Sequence, residues 1–513
     1  MQFKNTGHNF IDDISEQIII LDNALQDIEF NIFGPKNGYI FNKINVETAT
    51  KFLSMKHSIL TNKLLIENVK KVTRNARDLH KMAKFNINYL EKKFISHENI
   101  DFILIADYHR LSYHCYNELL AARKSKDSSK VKEIFHILVA KAREIAKIKS
   151  QNLRCSPYDT FLNSIDPDLS TNVIDGICVD IGSFLKNKYK DLSTNTKDKT
   201  ESYNQKKILS SFKDIEGIID KDKYVLHKII NLFKVKYFNF SETDCLNFSL
   251  STTGNSLYVD NISNFKASLS IDNSFMDNLQ MVLSSLARCK YNSCLPRKYW
   301  KSFSGAHAGM SVVYGNDFLF SKLLFTLPSF ISSIIEDFKD IFNIKKRTFN
   351  AENLIDLLKY NFLNPSLLMS KSDQITGMIH KMIRYNIERD LINGTLEIND
   401  LEDVWNEDMK HYFDLDVKDP FDGYLQNDEW FQGKFGHFSA YITGEVFAVQ
   451  LFQFLKSQNI DDINKISSFM CDNVYSHGMK YRTHNLLENI TGSKFDTQLY
   501  KDYISDILLN DKV

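Results

Sequence analysis

Glycine and proline are scarce, at 18 and 7 of 513 residues. So few breakers exclude a chain of many short strands and tight turns, and they favour long helices. The seven cysteines contain no C-x-x-C pair. An odd, scattered set is read as reduced thiols in a reducing compartment. Net charge is absent as well, because Lys plus Arg and Asp plus Glu both number 64. That balance speaks against a broad basic surface for nucleic acid, although a local patch can hide within a zero sum. No apolar run reaches the roughly 18 residues of a membrane span. The start, MQFKNTGHNFIDDISEQ, turns polar and acidic without a signal-peptide core. The expectation is a cytoplasmic protein without nucleic-acid partner or membrane span, with export by a route that uses no cleaved signal left open.

What remains is an ordinary globular composition, 43% apolar and 25% charged. Residues 12–34 and 46–150 carry helical periodicity. In 128–149, Val131, Ile134, Phe135, Leu138, Ile145 and Ile148 share one side, with Lys and Arg between them. This basic amphipathic helix is read as a bundle helix with a solvated face. The polar stretch 187–206 is read as an exposed loop. Residues 236–272, rich in Ser, Thr, Asn and β-branched side chains, should hold a few short strands. Helices resume from 274 to the end.

Residues 405–450 are the most informative. Trp405, Asn406, Glu407, Gly423, Leu425, Gln426, Trp430, Gly433, Phe435, Gly436, Phe438, Tyr441 and Gly444 fall in register with W-N-E … G-x-L-Q-D-x-H-W-x-x-G-x-F-G-Y-F-x-x-Y-x-x-G. This pattern resembles the signature of the thermostable (Taq-type) zinc carboxypeptidases. Ser156-Pro157-Tyr158-Asp159, the set His380, Ile383, Arg384, Tyr385, Glu388, and His477-Gly478, Tyr481, Thr491-Gly492 also match family motifs. The resemblance runs from about residue 150 to the C-terminus. It implies a mainly α, zincin-like (neurolysin-like) scaffold with a deep groove, a small β-sheet beside the metal position, and a homodimer. Residues 1–150 are expected to form one wall or lid of the groove and 151–513 the carboxypeptidase-like core, as one continuous unit.

Members of that family hold zinc through H-E-x-x-H on one helix and a Glu from the next. Two His four apart share a helix face and converge on one ion, while the adjacent Glu activates a metal-bound water. No H-E-x-x-H occurs here, and none of the fourteen His has another four positions away. The surviving landmarks Tyr291 and Leu295-Pro296 set the register. By resemblance, Ser284 and Arg288 stand at the two His positions, Ser285 at the catalytic Glu and Tyr314 at the third ligand. Phe275, Leu279, Val282 and Leu286 form the opposite, apolar stripe, with Asp272, Asn273 or Ser274 as cap. Serine is a poor zinc ligand and a guanidinium is none. Other family pocket motifs read Ser263, Phe265 and Ala267, Leu250-Ser251-Thr252, and Asn427 with Glu429.

The functional expectation is therefore a pseudoenzyme without catalytic residues, metal or cofactor, whose groove takes a peptide or a protein partner. Arg288, Tyr314, His380, Arg384, Gln426, Glu429, Trp430 and His437 are the candidate groove residues. Glu429 and His437 should make a polar contact, and Arg384 a salt bridge to Glu388. His307 with Cys289 or Cys294 could build a substitute metal site, but the cysteines are read as buried thiols. Ser284 and Ser285 lack a His or Asp at triad spacing. The alternative is an active, zinc-dependent metallocarboxypeptidase with substituted ligands.

Overall fold

The computed structural model describes residues 9–33, 43–75, 79–167, 169–195, 203–221, 224–240, 246–251, 256–259, 265–270, 275–360 and 366–509. The chain opens with α1 (Asn9–Phe33), α2 (Lys43–Leu60), α3 (Lys63–Arg74), α4 (Lys81–His97), α5 (Phe102–Ser125) and α6 (Ser129–Leu153). Next come α7 (Asp159–Ile165), α8 (Thr171–Asn195), α9 (Tyr203–Lys221) and α10 (Tyr224–Leu232). A three-stranded sheet follows, β1 (Leu246–Ser251), β2 (Ser256–Val259) and β3 (Phe265–Ser270). The chain continues through α11 (Phe275–Cys294), α12 (Met310–Ser321), α13 (Pro328–Phe342) and α14 (Ala351–Tyr360). It ends with α15 (Gln374–Asn393), α16 (Leu401–Phe413), α17 (Asp428–Phe431), α18 (His437–Ser457), α19 (Ile463–Asn473), α20 (Thr483–Thr491) and α21 (Thr497–Leu509). The mainly α class with a small sheet is the architecture found.

Local chemistry sets many boundaries. Asn62 and Asp101 cap α3 and α5 by accepting from Leu65 and Ile103 backbone N–H groups. Asp373 and Thr376 form a reciprocal capping box at α15, which stops at Gly394 with φ of 80°. Pro328 opens α13, where a missing N–H costs nothing. In the sheet, β3 lies between a parallel β1 and an antiparallel β2, and β2 and β3 pack beside α11.

One large apolar core runs from Cys115 to Ile504, and two smaller clusters gather α1 to α4. Arg143 of α6 donates to the carbonyls of Leu391 and Leu396, each at 2.6 Å, which ties the early helices to the late ones. Helix α18, of 21 residues, is apolar enough to cross a membrane, but 83% of its apolar 18-residue window is buried inside the protein, as in a core helix.

Two sequence readings change. The polar stretch 187–206 is helical through Asn195 and again from Tyr203, because Ile181, Leu185 and Tyr189 bury one face of α8 while its polar residues stay wet. Cys294 and Cys471 are joined in a disulfide rather than standing as separate thiols. The expected caps Asp272, Asn273 and Ser274 lie outside the described residues.

Candidate functional site

Helices α12 and α18 touch backbone to backbone. A Cβ on Gly315 would lie 2.6 Å from the Gly444 carbonyl oxygen, and one on Gly444 would lie 2.6 Å from that of Ser311. This close approach stacks Tyr314 of α12 on Tyr441 of α18, with ring centroids 3.9 Å apart. The Tyr314 hydroxyl lies 2.6 Å from His437 Nδ1. The Tyr441 hydroxyl donates to Glu429 at 3.5 Å. Glu429 and His437 are thus linked through the tyrosine stack rather than directly.

Helix α11 supplies the other wall. Leu279, Val282 and Leu286 are buried, as their spacing requires. From the other face, the Arg288 guanidinium carbon lies 5.6 Å from the Tyr314 ring centre. Arg288 Nε donates to both oxygens of Asp317, at 2.8 and 2.7 Å, and Nη2 also reaches Oδ2. Burial alone would lower the guanidinium pKa, and the Asp317 carboxylate more than reverses this, so the cation is fixed. Burial, helped by the Lys434 and Arg288 charges, pushes His437 down to about 3, which makes it a neutral imidazole.

The remaining groups near these helices are committed elsewhere. Ser284 Oγ donates to its own helix, to Met281 O at 3.0 Å, and Ser285 is buried. His307 is pushed down to about 4 by burial and then by Arg288. Burial raises the Cys289 thiol. Cys294 is disulfide-bonded, which removes it as a thiolate partner for His307. Among the described residues no three His, Cys, Asp or Glu side chains are grouped to hold a metal ion. The donors present (hydroxyls, a phenol and an ion-paired guanidinium) do not fit zinc.

The candidates on α15 and its neighbours form a second, packed network. His380 Nε2 meets Ser366 O at 2.8 Å. Arg384 Nη1 donates to His380 O at 3.0 Å and lies 3.1 Å from its Nδ1, while Nε donates to Asn427. The Arg384 guanidinium sits over the Trp405 ring at 4.7 Å. It is fully buried with Nη2 unbonded, and burial, opposed by Glu429, lowers it to about 9.

The expected Arg384–Glu388 salt bridge does not form. Glu388 accepts instead from Tyr158 at 2.8 Å, from Trp430 Nε1 at 2.6 Å and from Gly436 N. Gly436 has φ of 96°, the left-handed region where glycine is favoured. Burial nevertheless raises Glu388 to about 7. Gln426 is spent on the carbonyls of Leu367, Asp422 and Gly423 and on Met369 N.

The structure therefore gathers Arg288, Tyr314, Glu429 and His437 into one polar seam and places His380, Arg384, Gln426 and Trp430 in packed positions. Sequence reasoning missed Asp317. Its signal was available: a lone acid in the otherwise uncharged helix MSVVYGNDFLFS, one turn after Tyr314.

Comparison with known proteins gives the frame. Residues 42–508 match the carboxypeptidase Taq (M32) metallopeptidase family. "Carboxypeptidase 1" of Bacillus subtilis is 25% identical over 215 residues, 39% of this chain and 40% of that protein. "Thermostable carboxypeptidase 1" of Thermus thermophilus is 23% identical over 236 residues, 43% of this chain and 44% of that protein. These matches thus span less than half the length of either relative. The solved structure of metallocarboxypeptidase 1 from Trypanosoma cruzi superposes with a TM-score of 0.82 at 17% identity, covering 97% of this chain and 98% of that one. The chain belongs to the carboxypeptidase Taq (M32) metallopeptidase family.

Proposed function

We propose that this chain is a non-catalytic member of its family, a binding or regulatory protein that takes a peptide or a partner protein along the groove. The observation that carries this reading is the Arg288–Asp317 ion pair joining α11 to α12. By resemblance, Arg288 stands where the family has its second zinc-binding His, and Ser284, Ser285 and Tyr314 stand at the other metal and base positions. On that register a protonated guanidinium, which has no lone pair to offer a metal, stands in place of an imidazole. It also engages the Asp317 carboxylate. The losses are coordinated: ligands, base and third donor are replaced together, while the packing residues Trp405, Trp430 and Gly436 keep their places.

The test is elemental analysis of the purified protein after incubation with zinc and desalting, alongside hydrolysis of a panel of N-blocked peptides. The expected result is substoichiometric zinc and no release of C-terminal residues. One zinc per chain together with chelator-sensitive hydrolysis would end this reading.

A further inference from the structure

A cavity of about 400 Å³ lies between α1, α2, α4, α5, α6 and α7 and shares no lining residue with the Arg288–Tyr314 seam. Its charge is one-sided. Lys56, Lys92, Lys93 and Lys149 line it, and Asp22 is its single carboxylate. Lys56 pairs with Asp22. Lys92 is held by a neutral partner, Asn163 Oδ1, at 2.8 Å. The Lys93 ammonium rests on the rings of Tyr89 and Phe303, at 5.2 and 5.5 Å. Lys149 makes no hydrogen bond or ion pair among the described residues.

The excess is felt at Lys149 and His109 and not at Lys93, where burial is outweighed by Tyr89 and Asp22 and the ammonium is held above its usual range. Lys149 is held down to about 8 by burial and by the Lys56 and Lys93 charges. His109, also in the wall, is pushed down to about 4 by burial and then by Lys56 and Lys149. The four lysines are half-buried, and like charges gathered in a partly screened space repel one another unless a counter-charge joins them. The wall between the amines is mixed, with Leu53, Ile105 and Ile145 beside Thr160 and Ser164. The volume falls within the range of small-molecule sites.

We propose that this cavity binds a small phosphate-bearing anion with at least two negative charges, held by Lys56, Lys92, Lys93 and Lys149. The lining contains Lys and no Arg. Lysine meets an anion as a compact point charge without the planar fork of arginine, so the lining selects for charge density, which a phosphate group carries in a smaller volume than a carboxylate does. Phosphate is the class assigned because it places two charges on one compact group among the four amines.

The experiment uses the full chain at neutral pH and low salt, titrated by calorimetry with inorganic pyrophosphate, a sugar bisphosphate and citrate. Saturable 1:1 binding of pyrophosphate or of the bisphosphate is expected, and which is tighter separates free polyphosphate from a phosphate ester. Lys93→Gln and Lys149→Gln should each weaken that binding at least tenfold, and Lys418→Gln, on the exposed surface, should leave it unchanged. Lys149 has no partner to lose, so the ligand-free K149Q protein should melt no lower than the parent, while losing the rise in melting temperature that the anion gives. Absence of saturable phosphate binding, equal affinity for citrate, or undiminished affinity in both lysine variants would each overturn the assignment.

Discussion

Asp317→Asn keeps the shape of the side chain and removes its charge, so it isolates the ion pair. Arg288 retains 28% of its side-chain exposure and Asp317 17%, which places the pair between a surface bridge and a buried one. A solvated pair contributes about 0–1 kcal/mol, and breaking a fully buried one costs about 3–5 kcal/mol. Two unit charges about 4 Å apart at an effective dielectric near 20 attract by about 4 kcal/mol before exposure is discounted. With both groups mostly covered and Nε bonded to both oxygens, the expected loss for Asp317→Asn is about 2–3 kcal/mol. Arg288→Met should cost a similar amount. The double variant should recover part of the sum, with a coupling of about 1.5 kcal/mol or more in a double-mutant cycle. Urea midpoints at 25 °C read these differences, provided the four proteins share one slope. A loss below about 0.5 kcal/mol in Asp317→Asn would show a freely solvated Arg288, and the claim that this pair locks α11 to α12 would fall.

Three further outcomes follow from particular contacts. Gly444→Ala puts a Cβ 2.6 Å from Ser311 O and 2.8 Å from Gly315 N, both backbone atoms; urea unfolding should show a loss of about 1–3 kcal/mol from overpacking, and a neutral result would mean that the two helices can part at no cost. His437 sits near 3 in the folded protein against an ordinary 6.5; its depressed value means that stability is intact above 6.5 and drains as pH falls towards 3. Urea titrations should therefore show the parent losing about 1.4 kcal/mol per pH unit relative to His437→Gln within that window, and parallel pH curves would contradict a buried neutral imidazole. Peptide mapping of the non-reduced protein should recover Cys294 linked to Cys471, with the link lost on reduction; alkylation of both as thiols without reductant would refute the pairing.

The helical class was legible because breakers are rare, and the strands because 236–272 changes composition, although its first residues close a helical turn. The end of α8 was misread through polarity alone, although Ile181, Leu185 and Tyr189 carried the 3.6 period. The Arg384–Glu388 bridge failed for a physical reason. The i, i+4 rule describes exposed helix faces, whereas both side chains are fully buried here and each meets groups from other parts of the chain. Lys149 was legible only as one more cation on an amphipathic helix, because its cavity is assembled from six helices. The disulfide spans 177 positions, and no spacing rule reaches that far. The Arg288–Asp317 pair required knowing that α11 and α12 lie side by side.

On the proposed reading that pair takes over the linking role of a metal, and the reading can be tested in reverse. A zinc ion ligated from two helices cross-links them, and Arg288 with Asp317 provides a cross-link between α11 and α12 without a metal. Ser284→His, Ser285→Glu, Arg288→His and Tyr314→Glu together should create a zinc site if the register is right. The two new imidazoles sit one turn apart on α11, Ser284 having no bond outside its own helix. The freed Asp317 carboxylate is then close enough to orient the imidazole at 288, as carboxylates do behind metal-bound His. Losing the Tyr314 stack and its His437 contact makes the metal-free variant less stable than the parent, by about 1–3 kcal/mol. Zinc should restore that loss and appear at one ion per chain. A folded variant that stays metal-free would show that the residues at 284, 288 and 314 do not face one point, and the register on which the functional reading rests would be wrong.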